Sequence, residues 1–316
     1  MEDLNKKLLI SKTLYSIIKN DDKYTSEHSA RVAVYMSRFC DKLGFDENQR
    51  TTAEIAGILH DVGKVFITNE VLNNPSKLSN LQFSIMKKHS EYGKDILSVI
   101  DGFKEIATIS GSHHEKFDGT GYPLNLKEEE ASVYSRMMTL CDSFDAMTIK
   151  RVYDNSIEEF DENGNKKLGR KSVNEALIDI DKNKGTQFDP NLSDSFIEMV
   201  NEYNGDFLYD INSKEILQKN SVLNDILQNS MSDINLNDLK AMSAKLNSLD
   251  TPKELENESQ KCFFNDLLNY VEQNNLSLND ISNSISKIFV AVDTKIKETT
   301  KEQTNQLKKE DDYDNR

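Results

Sequence analysis

The chain is poor in cysteine, has no long apolar run and carries too little positive charge to balance its acids. Cys40, Cys141 and Cys262 lie far apart and form no CxxC pair, so a reducing compartment is expected. No window approaches the roughly eighteen consecutive apolar residues of a membrane-spanning helix. The first twenty or so residues are interrupted by Lys and Asn and lack the apolar core of a signal peptide. A soluble, cytoplasmic protein is the expectation. Lys and Arg total 39 against 54 Asp and Glu, a formal net charge of −15. So acidic a chain does not hold nucleic acid or an anionic membrane by bulk charge. A phosphate-bearing ligand must be met by a local site, where metal ions can supply the missing charge.

Strand signals are nearly absent, and helical periodicity recurs. A first helix is predicted over 4–19, followed by a polar break from Asn20 to Ser26. His28, Val32, Met36, Phe39 and Leu43 then recur at steps of three and four up to Gly44. Asp46 to Gln49 and Ser79 to Gln82 have the spacing of capping boxes that open helices. Gly93 to Val99 reads as a separate helix. Ile106, Ile109 and His113 share a face ahead of a turn-rich loop at 118–123. Further helices are expected over 133–150, over 173–181, and from Asp189-Pro190 to near Tyr203. Residues 154–172 are polar and aperiodic. From Gly205 onward the chain is rich in Asn, Ser, Leu and Lys and has no histidine.

There are only five histidines, and each lies on or at the end of an apolar helix face. One such histidine is usually a satisfied core residue. Five together, with Asp61 and Asp142 on similar faces, are costly to desolvate unless a cation organises them. Nitrogen and carboxylate ligands suit Fe, Mn or Zn better than Mg or Ca. Seven ligands are too many for one ion and suit two ions sharing a carboxylate, ~3.5–4 Å apart. The stretch Leu59-His60-Asp61-Val62-Gly63-Lys64 also places an ammonium three residues after the aspartate. At helical spacing His60, Asp61 and Lys64 can converge on one pocket.

These residues resemble the ligand set of the HD superfamily of metal-dependent phosphohydrolases. The stretches LHDVGK at 59–64, HHEKFDGTGYP at 113–123, DSFDAMTIKRVY at 142–153 and FDP at 188–190 are similar to the HD-GYP subfamily. The resemblance covers roughly residues 24–203. It implies an all-α fold: an HD-domain helical bundle over 24–204, with an N-terminal helix (1–23) packed on it. Beyond the resemblance, helical patterns in the sequence itself give a helical C-terminal region (205–300), and the charged last residues give a disordered tail (301–316). The resemblance implies a phosphodiesterase that hydrolyses cyclic di-GMP to pGpG, or on to GMP, with a metal-bridging hydroxide as nucleophile. Two divalent ions, Fe or Mn, would be the cofactors. His28, His60, Asp61 and Asp142 would hold one ion, and Asp61, His89, His113 and His114 the other, with Asp61 bridging. Lys64 would meet the scissile phosphate or assist the leaving oxygen. Gly121, Tyr122 and Pro123 would border the substrate, and Arg151 would contact its second phosphate.

The chain departs from the family pattern in places. Tyr24 stands where a third metal would need a glutamate, so a binuclear site is expected, and Glu27 is read as a surface residue. Asp154 replaces a basic residue near Arg151, Thr68 replaces a usual proline, and Asn74 replaces a common lysine. Asp154 removes a phosphate contact and motivates two alternatives: a weak cyclic-dinucleotide receptor signalling through the C-terminal region, or hydrolysis of another cyclic dinucleotide. The apolar cluster of Cys262, Phe263, Phe264, Leu267, Leu268 and Val271 is read first as packing within the chain. Its second reading is a homodimer or partner contact.

Overall fold

The computed structural model describes residues 2–149, 171–203, 221–228, 231, 258–277 and the single positions 285, 287 and 294. Arg151, Asp154, most of the polar excursion and the tail at 301–316 lie outside the described residues. Among those described there is no strand, only two isolated bridges, Asp118 with Lys127 and Lys184 with Phe188. The expected all-α fold is what is found.

Helix α1 (Glu2–Asp21) and helix α2 (Lys23–Leu43) leave only Asp22 between them. The polar break expected over Asn20 to Ser26 shrinks to one residue because Asp22 is an effective cap. Its carboxylate accepts from the Tyr24 and Thr25 amides. Gly44 closes α2 in the left-handed region, at φ 72°. Helix α3 (Glu47–Leu59) opens on the Asp46/Gln49 capping box. Gly57 lets α3 lie directly on α2, since a Cβ there would strike the Ala33 backbone.

A 3₁₀ helix (Val62–Phe66) and the single turn α4 (Asn69–Leu72) lead to α5 (Asn80–Ser98). Helix α5 is continuous, although Gly93 reads as a break in the sequence. The glycine is there for close approach: a Cβ on Gly93 would strike the Ser110 hydroxyl, and one on Gly63 would collide with the His89 carbonyl. Helices α6 (Lys104–Ser112), α7 (Val133–Thr148), α8 (Val173–Lys182) and α9 (Pro190–Glu202) complete the bundle. Asp189 caps α9 by accepting from Asn191 and Leu192.

A chain of edge-to-face rings locks α2, α7 and α9 together. Phe196 lies 5.3 Å from Phe39 and 5.4 Å from Phe144, and Phe144 lies 5.6 Å from Tyr35. Cys40 and Cys141 are fully buried, as expected of packed helix residues, and Cys262 is exposed.

Helices α10 (Ser221–Gln228) and α11 (Glu258–Gln273) approach α1. Lys12 pairs with Asp225 at 2.8 Å and lies 4.2 Å over the Tyr270 ring, and the Tyr270 hydroxyl donates to the Asn5 carbonyl. Leu267 and Val271 are buried, so this part of the apolar cluster packs within the chain. The side chains of Phe263 and Phe264 lie outside the described residues. No helix among the described residues is long and apolar enough to cross a membrane.

One buried acid makes stability depend on pH. Glu54 on α3 is 2% exposed and accepts from the Ser37 hydroxyl at 2.6 Å. Burial raises its carboxyl from 4.5 to about 7, with Ser37 and Arg50 opposing. The folded chain therefore binds the proton more tightly than the unfolded one. The stability this gives is present below pH 4.5 and is lost as pH rises through about 7. Glu54→Gln is expected to overtake wild type with rising pH, by on the order of 3 kcal/mol at pH 8. Denaturant melts across this range check it; parallel curves for the two proteins would contradict it.

Candidate metal centre

Five elements deliver the seven predicted ligands to one place. His28 comes from the first turns of α2, His89 from the middle of α5, and Asp142 from α7. His113 and His114 follow the end of α6. His60 and Asp61 sit where α3 ends, so the stretch to Lys64 is not one α-helix. Asp61 has φ −98° and ψ 9°, and the 3₁₀ turn after it brings Lys64 Nζ to 2.6 Å from Asp61 Oδ2. The break is pinned by the Ser110 hydroxyl, which donates to the His60 carbonyl at 2.7 Å. The Thr139 hydroxyl holds the His113 carbonyl in the same way, at 2.8 Å.

The ligand atoms form two trios with Asp61 between them. His28, His60 and Asp142 converge within 4.8 Å of one another, as do His89, His113 and His114. His60, Asp61 and His113 also converge across the middle. Asp61 divides its oxygens between the trios. Oδ2 is 3.6 Å from His28 Nε2 and 3.3 Å from His60 Nε2; Oδ1 is 3.3 Å from His89 Nε2 and 3.9 Å from His113 Nε2.

The donor set fits cations. The Nδ1–H groups of His60, His89 and His113 donate to the Gly57, Met86 and Ser110 carbonyls at 2.8, 2.7 and 2.7 Å. That leaves each Nε2 with a lone pair aimed inward. His89 Nε2 and His113 Nε2 are 3.3 Å apart, two acceptors with no hydrogen between them. His60 Nε2 is buried and has no hydrogen-bond partner among the described residues. Crowded acceptors of this kind are costly to bury unless a positive ion lies between them.

The electrostatics agree. Burial pushes the Asp61 carboxyl up, but Lys64, His60 and His89 hold it well below the usual carboxylate range. Asp142 is likewise held low against burial, chiefly by His28. Burial and its imidazole neighbours keep His113 well below its ordinary value, and burial with His89 takes His114 down to about 3. These two rings are neutral and can donate lone pairs. His28 differs: burial opposes its charge, yet Asp142 and Asp145 raise it to about 9.

Asp145 is a site residue that sequence reasoning passed over. It is fully buried and accepts four hydrogen bonds. His28 Nδ1 donates to Oδ2 at 2.7 Å, Arg31 Nε and Nη2 donate at 2.7 and 2.9 Å, and the Tyr35 hydroxyl donates at 3.2 Å. It fixes the His28 ring so that Nε2 faces the cluster. The signal was present in two spacings: Asp142 and Asp145 three apart, and His28, Arg31 and Tyr35 at helical steps. Asp145→Asn is expected to cost about 3–5 kcal/mol, because Arg31 is left buried without its carboxylate. It should also weaken metal binding by roughly 10–100-fold. Denaturant melts and chelator competition measure the two effects, and unchanged metal affinity would remove Asp145 from the site.

The loop after His114 is held by Glu115, another residue the sequence reading did not single out. Its two carboxylate oxygens accept from the Leu124 and Leu126 amides at 2.6 and 3.0 Å. Gly121 packs where a Cβ would strike the Glu115 and Lys116 backbone. The Tyr122 ring lies 4.8 Å from the His114 ring, and Pro123, joined to Tyr122 by a cis bond, is half-buried beside it. The Tyr24 ring lies parallel to the His28 ring at 6.4 Å, and Glu27 is exposed and pairs with Lys23. All seven predicted ligands, Lys64 and Tyr122 are thus brought together. Arg151 lies outside the described residues.

A family model described as an HD domain matches residues 12–192. The chain belongs to the HD-domain family. It is 37% identical over 137 residues to the 3'3'-cGAMP-specific phosphodiesterase 3 of Vibrio cholerae, covering 43% of this chain and 30% of that protein. Against the 3'3'-cGAMP-specific phosphodiesterase 2 of the same organism, identity is 32% over 195 residues, covering 60% of this chain and 34% of that protein. A cyclic di-GMP phosphodiesterase of Thermotoga maritima is 32% identical over 183 residues, covering 57% of this chain and 46% of that protein. The chain therefore spans between about a third and a half of the length of these relatives.

Proposed function

We propose that the chain is a metal-dependent phosphodiesterase of the HD-GYP type that opens a cyclic purine dinucleotide, with cyclic di-GMP converted to pGpG. The observation that carries this reading is the pair of ligand trios on either side of Asp61. Its two oxygens reach both trios, which suits a carboxylate shared by two ions. When bound, two divalent cations neutralise the phosphodiester and lower the barrier to attack by water. Fe and Mn suit the nitrogen-rich donor set.

The chain's own groups do the rest. Lys64 is 22% exposed at the edge of the cluster, where its ammonium can offset charge on the departing ribose oxygen. Tyr122 offers a ring face beside His114 for the nucleotide. Arg151 is assigned to the second phosphate on its motif alone. Gly121 and Pro123 are assigned to shaping the loop that carries Tyr122. The C-terminal helices remain open to a dimer or partner role, which light scattering of the full chain would decide.

A second substrate, 3'3'-cGAMP, is favoured by the names of two of the relatives. Protein loaded anaerobically with Fe or Mn should be offered cyclic di-GMP, 3'3'-cGAMP and cyclic di-AMP in competition, with linear products resolved by mass. Preferential appearance of pGpG supports the first reading, and preferential opening of 3'3'-cGAMP supports the second. Tight binding without hydrolysis by fully metal-loaded protein would favour a receptor instead.

A further inference from the structure

A cyclic dinucleotide presents two purine faces and two phosphates, and the metal cluster meets only one phosphate. The surface next to Tyr122 has the chemistry to meet more of the ligand. Lys87 on α5 lies 5.6 Å from the Tyr122 ring centre and 5.3 Å from the Phe83 ring centre, so two rings flank one ammonium. Phe83 and Leu124 are the most exposed large apolar side chains among the described residues, at 50% and 54%. A half-exposed phenylalanine ring offers a face on which a nucleobase can stack. Lys87 is half-buried, with its ammonium set between the two rings.

We propose that Phe83 and Lys87 extend the Tyr122 loop into a subsite for the distal nucleotide, Phe83 stacking its base and Lys87 meeting its phosphate. This rests on the cyclic-dinucleotide reading above. The two residues are one helical turn apart on α5, which also carries His89, so the subsite and the metal cluster are held in fixed register. Aromatic stacking accepts any purine, so this subsite adds affinity without choosing between guanine and adenine. The lysine contributes a salt-sensitive attraction.

Phe83→Ala and Lys87→Gln, in metal-loaded full-length protein, test the assignment. Phe83→Ala should raise KM for cyclic di-GMP by about tenfold, with kcat nearly unchanged. Lys87→Gln should raise KM several-fold and flatten its dependence on salt. Turnover of bis(p-nitrophenyl) phosphate, which has no second nucleotide to place on Phe83 and Lys87, should not change in either variant. Calorimetry with pGpG gives a readout that does not need turnover, and Phe83→Ala should bind it about tenfold more weakly. Equal pGpG affinities, or a loss of equal size against both substrates, would overturn the subsite. A wild-type protein that opens no cyclic dinucleotide would instead overturn the proposed function, and pGpG binding would still decide the platform.

Discussion

Asp61→Asn protein is expected to hold at most one divalent ion per chain and to lose about a thousandfold in turnover. The carboxylate is 2% exposed and lies within 3.9 Å of four imidazole nitrogens, two on each side. Asp142 also approaches one nitrogen of each trio, His28 at 3.1 Å and His114 at 3.8 Å, but Asp61 meets two on each side and is more deeply buried. An amide keeps the shape of the side chain but removes its charge and one acceptor oxygen. Metal ions supply several kcal/mol of transition-state stabilisation, and about 4 kcal/mol is a thousandfold in rate. Metal analysis of the variant beside wild type checks the first half of the expectation, and product formation the second. A variant with two ions and wild-type turnover would end the bridging assignment.

Lys64→Met is expected to separate chemistry from metal binding. The ammonium sits 2.6 Å from Asp61 Oδ2, yet it is no part of either trio. Bound cations replace its charge beside Asp61, so occupancy should remain near that of wild type. Turnover of a cyclic dinucleotide should fall by about 10²–10⁴-fold, the range for a lost general acid. A p-nitrophenyl phosphodiester, whose leaving group needs no proton, should lose much less. Equal losses on both substrates would place Lys64 at the phosphate rather than the leaving oxygen. Loss of the metals would make its role structural.

Much of this centre can be read from residue types. The proposed binuclear site needs imidazoles and carboxylates on inward faces, and His28, His60, Asp61, His89, His113, His114 and Asp142 suggest themselves by chemistry and periodicity together. Capping boxes at Asp46 and Ser79 are local, and the structure contains both. Tertiary contacts account for what stays hidden. Gly93 reads as a helix break because its reason, the Ser110 hydroxyl lying where a Cβ would go, comes from another helix. Asp145 reads as one more acid on α7 until α2 brings His28, Arg31 and Tyr35 against it. Glu115 and Lys87 are likewise ordinary charges until the loop at 121–126 folds over them. The end of α3 at Leu59 also escapes the sequence, since the turn is held by Ser110, fifty residues away from His60.

Titration of Mn into metal-free full-length protein, with cyclic di-GMP and 3'3'-cGAMP turnover followed at each addition, tests the central claim most directly. The account predicts little turnover at the first equivalent, a rise in step with the second, and linear dinucleotide as product. Two tightly bound equivalents with neither substrate consumed, or full turnover at one equivalent, would contradict it.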